Sequence, residues 1–233
     1  MATILETKSL TKKFGGFTAV ENVSFKVEKG EIRFVIGPNG AGKSTFFKLV
    51  IGNHEPNEGS ILFKNEHIEK LKTHERIKLG MGVKFQAPSV FSELTVLQNL
   101  NLAYNSETAS KNIQTTLKDF SLENEINTLA GDLSHGKKQW LDIALATLSK
   151  PELVFLDEPT AGLSFEETEK TGEIIKKLNK EGITFIIVGH DMDFVKQTAS
   201  KVSVLHLGKI YFEGSVSEVL SNKGVNDIYL GVS

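Results

Sequence analysis

Apolar residues recur along this chain in two rhythms, and the rhythm changes at definable places. Short runs with β-like alternation occupy residues 4–7, 23–27 and 31–35, with a Lys29-Gly30 turn between the last two. A strand over 32–36 leads into a glycine-rich loop and then a helical pattern over 43–51, closed by Gly52. A further strand, 60–64, follows a Glu58-Gly59 turn. From 88 to 150 the pattern is helical. Thr95 is placed to cap a helix over 96–104, a polar stretch spans 105–111, an amphipathic run covers 113–120, and a third helix over 137–148 is stopped by Pro151. Strand and helix then alternate again: strand 153–156, a helix opened by the capping box Ser164-Phe-Glu-Glu and ended at Gly182, strand 183–188, another helix, and a hairpin over 202–212. Strands that are almost continuously apolar, alternating with helices, predict a mostly parallel sheet buried on both faces. The expected fold class is α/β, with an antiparallel N-terminal β layer. The expected organisation is one domain over 1–233, in which 1–87 and 151–233 form the α/β core and 88–150 a helical subdomain.

Composition narrows the classes of function. The 233 residues carry a formal net charge of −2, with no basic excess of the kind nucleic-acid binders use. Cysteine is absent, which removes disulfides and thiolate metal sites. Arg33 and Arg76 are the only arginines among the basic residues, a bias attributed to genome composition. No apolar run reaches the roughly 20 residues of a membrane-spanning helix, and residues 1–13 lack the apolar stretch of a secretory signal. A membrane role would therefore act through another chain.

The chemistry is carried by three motifs. Gly37-Pro38-Asn39-Gly40-Ala41-Gly42-Lys43-Ser44 matches the phosphate-binding P-loop pattern, between a predicted strand and a predicted helix that continues with Thr45. Glycines let successive backbone N–H groups curl round phosphate oxygens, and the helix start adds a favourable potential. Lys43 is expected to reach the β- and γ-phosphates, and Ser44 to offer its hydroxyl to Mg²⁺. Leu153-Val-Phe-Leu-Asp157-Glu158 is a buried strand ending in two acids, where an α/β sheet places its chemistry. Asp157 suits Mg²⁺, and Glu158 suits orienting and deprotonating a water. Leu133-Ser134-His135-Gly136-Lys137 opens the third helix with a second anion-binding helix start.

In chain order, the P-loop, Gln86, the Leu-Ser-x-Gly signature, Asp157-Glu158 and His190 after the next strand form a set that resembles the ABC ATPase family over essentially the whole chain. The resemblance implies a P-loop NTPase core with a helical signature subdomain, ATP and Mg²⁺ as ligands, and two subunits packed head to tail as a homo- or heterodimer. Each ATP would lie between one subunit's P-loop and the partner's signature, so Ser134, His135 and Gly136 would bind nucleotide in trans. By position, Phe14 resembles the aromatic that stacks on adenine, and Phe17 is a near competitor for that role. Gln86 resembles the lid glutamine that touches Mg²⁺, and His190 the histidine contacting the γ-phosphate. The implied setting is the cytoplasmic face of a membrane, on two permease subunits, with an extracytoplasmic solute-binding protein as an indirect partner and no nucleic acid.

The chain departs from the common family pattern at His135, where glycine is usual, at Ser164, where Asp is usual, and at Gly189, where Glu is common. His135 is expected to face either the partner's ATP or solvent. Glu31-Ile-Arg33, Lys84-Phe-Gln86 with Val90-Phe91, the Leu-Ser-His-Gly signature and Asp227-Ile-Tyr-Leu-Gly231 resemble the ATP-binding subunits of branched-chain amino acid and amide uptake systems, closest to the urea transporter ATPase. The expected function is thus the motor of an importer for urea or short amides. The alternatives are the same motor for branched-chain amino acids, or a non-transport ABC ATPase such as an iron–sulfur assembly scaffold. The Leu-Thr-Val-x-x-Asn-Leu pattern over 94–100 speaks for the transporters, since it resembles the segment that docks a membrane subunit.

Overall fold

The computed structural model describes residues 2–103 and 109–230. The chain begins with β1 (Thr3–Phe14) and β2 (Phe17–Glu28), an antiparallel hairpin whose tip pairs Phe14 with Phe17. Its register shifts several times, between Thr7 and Leu10 among other places. Each shift exchanges the face that points inward. Alternation therefore survives only in short runs, and the sequence shows fragments of two twelve-residue strands.

Next come β3 (Ile32–Ile36), the glycine-rich loop, and α1 (Lys43–Val50). β4 (Glu58–Phe63) pairs antiparallel with β1, and β5 (Glu66–His67) closes that sheet in the order β2-β1-β4-β5. α2 (Thr73–Lys78) leads to β6 (Met81–Lys84). Between 88 and 150 the described residues hold helices and no strand: α3 (Val96–Ala103), α4 (Ala109–Asp119) and α5 (His135–Thr147). The predicted end of the first of these helices, at 104, and most of the polar stretch after it lie outside the described residues. β7 (Leu153–Asp157), α6 (Phe165–Lys180), β8 (Thr184–Val188) and α7 (Met192–Thr198) follow. β9 (Lys201–His206) and β10 (Lys209–Gly214) form the predicted hairpin, and α8 (Val216–Ser221) and α9 (Lys223–Leu230) end the chain. The second sheet runs β10-β9-β3-β8-β7-β6, parallel except for β10 at its edge.

This parallel sheet is buried on both faces. Val35, Leu153, Phe155, Ile186 and Val188 join the antiparallel layer and α1 in one core, where Phe25 meets Phe46 and Phe47 meets Phe155 edge-on. Phe34, Ile36, Val154, Leu156, Phe185 and Ile187 face the other core, with α5, α6 and α7. That two-sided burial is the physical reason the strands read as unbroken apolar runs.

Both arginines are buried, so their positions have a structural reason and composition bias does not account for them. Arg33 bonds Glu31 at 2.6 Å, Glu213 at 2.6 Å and Ser203 at 2.8 Å, and lies over the Phe25 ring. Arg76 donates to the Leu49 and Val50 carbonyls at 2.9 and 2.6 Å, and also to Leu71 and Glu69 carbonyls. It thereby satisfies the last turn of α1, where a cation also meets the negative end of the helix dipole. Burial pulls its pKa down to about 10, against the raising effect of Glu69.

Candidate nucleotide-hydrolysing site

The loop between β3 and α1 has the shape a phosphate requires. Gly37 and Gly42 stand at φ 152° and 99°, where an added Cβ would lie 2.2 Å from the Leu205 carbonyl oxygen and 2.4 Å from that of Ala19. Glycine is needed at both positions for backbone conformation and for space. The loop walls a cleft of about 340 Å³ together with Lys43, Ser44, Thr45, Phe17, Gln86 and Glu158. Lys43 is buried and its Nζ donates to the Gly37 and Pro38 carbonyls at 2.6 and 3.0 Å. Burial holds it below the ordinary lysine range, against the opposing charges of Glu158 and Asp157.

The sheet brings the remaining candidates to the same cleft. β7 pairs with β8 and ends at Asp157, so Glu158 stands at the carboxyl edge of the sheet beside the start of α1. Glu158 leaves the strand at φ 46°, an uncommon conformation for a non-glycine residue, with its N–H on the Val188 carbonyl at 2.8 Å. Its carboxylate collects two of the predicted partners. Gln86 donates to Oε2 at 3.2 Å, and His190 Nδ1 lies 3.4 Å from Oε1. Residues from three separate loops therefore meet at one carboxylate, the arrangement of a base held by two polar groups.

Asp157 is buried, and its pKa is raised first by desolvation and then by Glu158, against Lys84, Lys48 and Lys43. Among the described residues no group of three or more His, Cys, Asp or Glu side chains could hold a metal by itself. Mg²⁺ is normally held by one or two carboxylates plus nucleotide phosphates. The Asp157 carboxylate and Ser44 hydroxyl beside a phosphate cradle fit that donor set, with Gln86 at the cleft wall.

Two residues were not legible as parts of this site. Lys84 is fully buried in β6, and its Nζ points at the Asp157 and Gln86 carbonyls at 3.3 and 3.5 Å. Asp142 on α5 accepts the Ser89 N–H at 3.1 Å, while its Oδ2 is buried without a hydrogen bond. The sequence held no signal for Lys84, whose four-residue strand shows no period, and for Asp142 only the oddity of an acid inside a largely apolar helix.

Two expectations need refinement. Phe14 is not on the wall of the phosphate cleft. It sits at the hairpin tip, 45% exposed, edge-on to His54 at 5.5 Å and under Lys12, and the ring on the wall is Phe17. His135 is exposed, and its ring turns toward its own chain. Its Nε2 lies 2.9 Å from the Ala161 carbonyl of its own chain. Ser134 caps α5, as expected, by accepting the Lys137 N–H at 3.3 Å. A Cβ at Gly136 would come within 2.1 Å of the Glu167 carboxylate, so that side chain would have to move aside. These three signature residues are not on the walls of the cleft formed by their own chain.

Comparison with known proteins agrees with this geometry. The family described as ABC transporter matches residues 20–161. The high-affinity branched-chain amino acid transport ATP-binding protein LivG of Salmonella typhimurium is 32% identical, with 98% of each chain covered. A crystal structure of the ADP conformation of an ATP-binding cassette of an ABC transporter superposes with a TM-score of 0.92 at 30% identity, covering 99% of this chain and 100% of that one. A dimeric post-hydrolysis cassette bound to ADP and phosphate matches with a TM-score of 0.81 at 29% identity, covering 91% and 99%. A P-loop, a signature helix and an acid pair in this order and geometry, together with these likenesses, establish that the chain belongs to the ABC transporter family as an ATP-hydrolysing, Mg²⁺-using cassette.

Proposed function

We propose that this cassette powers uptake of branched-chain amino acids, as one half of a head-to-tail dimer on the cytoplasmic face of a membrane. The observation that carries the solute class is the likeness to LivG over nearly the full length of both chains. It favours branched-chain amino acids over urea and short amides, the solutes to which the signature and the 227–231 motif had pointed. Among the described residues no helix is long and apolar enough to cross a membrane, so translocation is assigned to two permease subunits, fed by an extracytoplasmic binding protein. A groove lined by Ile77, Phe91, Leu102, Leu145 and Asp142 is the proposed seat of the permease. Buried Asn99 builds its rim by bonding the Phe91, Leu94 and Thr95 carbonyls and the Phe91 N–H.

In the proposed reaction the Gly37–Gly42 amides and Lys43 hold the phosphates, and Phe14 stacks on adenine beyond the rim formed by Phe17. Ser44, Asp157 and Gln86 hold Mg²⁺, which when bound neutralises charge on the phosphate oxygens. Glu158 takes a proton from the attacking water, while Gln86 and His190 keep its carboxylate and the γ-phosphate aligned. Ser134 and Gly136 close the site on the partner's nucleotide. Such catalysis is mostly positioning and electrostatics.

Uptake of labelled leucine and of labelled urea, in cells carrying the wild-type chain or Lys43→Ala, tests the assignment. The expected result is loss of leucine uptake with urea uptake untouched. Loss confined to urea or short amides would return the solute to that class. Loss of neither would remove the importer role.

A further inference from the structure

His135 and Ser164, two of the three departures from the family pattern, lie far apart in sequence, and the structure brings their segments together. The loop from Glu158 to Ser164 runs under the first turn of α5. His135 Nε2 meets the Ala161 carbonyl at 2.9 Å, and because a carbonyl only accepts, that nitrogen carries the proton. Ala161 in turn donates its N–H to the Glu158 carbonyl at 3.2 Å. At the other end of the loop, Ser164 and Glu167 form a reciprocal capping box at 2.9 and 3.2 Å, and the same Glu167 carboxylate lies against Gly136. One helix turn further on, Trp140 Nε1 donates to Thr171 of α6 at 3.0 Å inside the core. The signature turn and the loop that carries Glu158 are thus joined at both ends.

We infer that His135 is a positioning residue that ties the signature turn to the peptide of Glu158, so that nucleotide contact at the signature is passed to the base in the same chain. The path has two hydrogen bonds, His135 to Ala161 and Ala161 to Glu158. It ends on a residue whose left-handed φ of 46° must be maintained by its surroundings. With glycine at 135 the side-chain bond would not exist, and with a ring lacking N–H the space would be filled without a tie. The origin of the signal in a partner's nucleotide rests on the proposed dimer, whereas the tie lies within one chain.

The test compares His135→Phe, which keeps bulk without a donor, and His135→Gln, whose terminal amide restores one. His135 is exposed, so both variants should keep the wild-type melting temperature. His135→Phe should lower kcat about tenfold with KM for ATP changed less than about twofold, since misplacing a base affects chemistry more than ground-state binding. Amide hydrogen exchange over 158–164 should quicken in His135→Phe, and His135→Gln should recover at least half of both effects. Unchanged exchange in His135→Phe, equal losses in kcat and KM, or a glutamine no better than phenylalanine would overturn the tie. Absence of turnover or of ATP-dependent dimers in the wild-type chain would instead count against the proposed function, and exchange would still decide the tie.

Discussion

Glu158 is where the residue scale matters most, because Gln86 and His190 both converge on its carboxylate. Glu158→Gln keeps shape and hydrogen bonding but cannot accept the proton, and a positioned general base is typically worth about 10² to 10⁴ in rate. Turnover should fall by that range while ATP affinity, measured by titration calorimetry, stays near wild type. A rate within about threefold of wild type would remove Glu158 from the role. Asp142 offers a second test. Burial lifts its pKa from 3.8 to about 6, against the opposing Ser89 N–H and the Lys84 charge. A carboxyl raised in the folded state adds no penalty below the unfolded value, where both states are protonated. It then costs stability as pH rises from about 4 to 6, since the unfolded chain ionises first. The span corresponds to about 3 kcal/mol. Urea unfolding of wild type and Asp142→Asn between pH 4 and 8 should show their difference growing over that window and levelling above it. Parallel profiles would mean the carboxyl is not perturbed. The sequence suggested the P-loop, Glu158, Gln86 and His190 as individual residues. It could not show that Glu158 is the meeting point, because the three loops are brought together by strand order alone.

At the scale of elements, α1 links phosphate binding to the fold. It starts at Lys43 and ends on Arg76, which bonds two of its terminal carbonyls from inside the protein. Arg76→Met should destabilise the chain by about 3 kcal/mol, as removal of one partner from a buried charged network commonly does. Arg76→Lys should rescue little, because an ammonium cannot reproduce the guanidinium fork. Denaturant midpoints of the two variants check both statements, and wild-type stability in Arg76→Met would deny the role. Element legibility followed burial pattern and capping. α6 was readable from the Ser164 capping box, and β7 and β8 from their apolar runs. α2, β5 and β6 were missed because a helix of six residues or a strand of two to four shows no period. β1 and β2 were truncated by their bulges. Helix α5 begins two residues earlier than the 137 start read from the sequence, since Ser134 caps it and His135 and Gly136 already lie in its first turn.

For the whole molecule, the sites proposed to act on one ATP are split. The cleft contains the P-loop, Gln86 and Glu158, while the signature lies elsewhere on the same chain. In the proposed dimer, a second copy or a related subunit completes it. Glu158→Gln with ATP and Mg²⁺ should therefore elute as a dimer in size-exclusion chromatography and return to monomer with ADP. A monomer at saturating ATP would count against the sandwich. The family, the nucleotide chemistry and the α/β class were determined by sequence alone, because contiguous motifs encode their own local geometry: glycine where φ is positive, apolar runs where a strand has two buried faces. Only the tertiary structure decided that Lys84 lies beneath Asp157, that Arg76 ends α1 from inside the core, and that His135 turns its ring onto the Ala161 carbonyl. Those contacts join residues distant in the chain, and which distant residues meet depends on sheet order and helix packing, which no local pattern records.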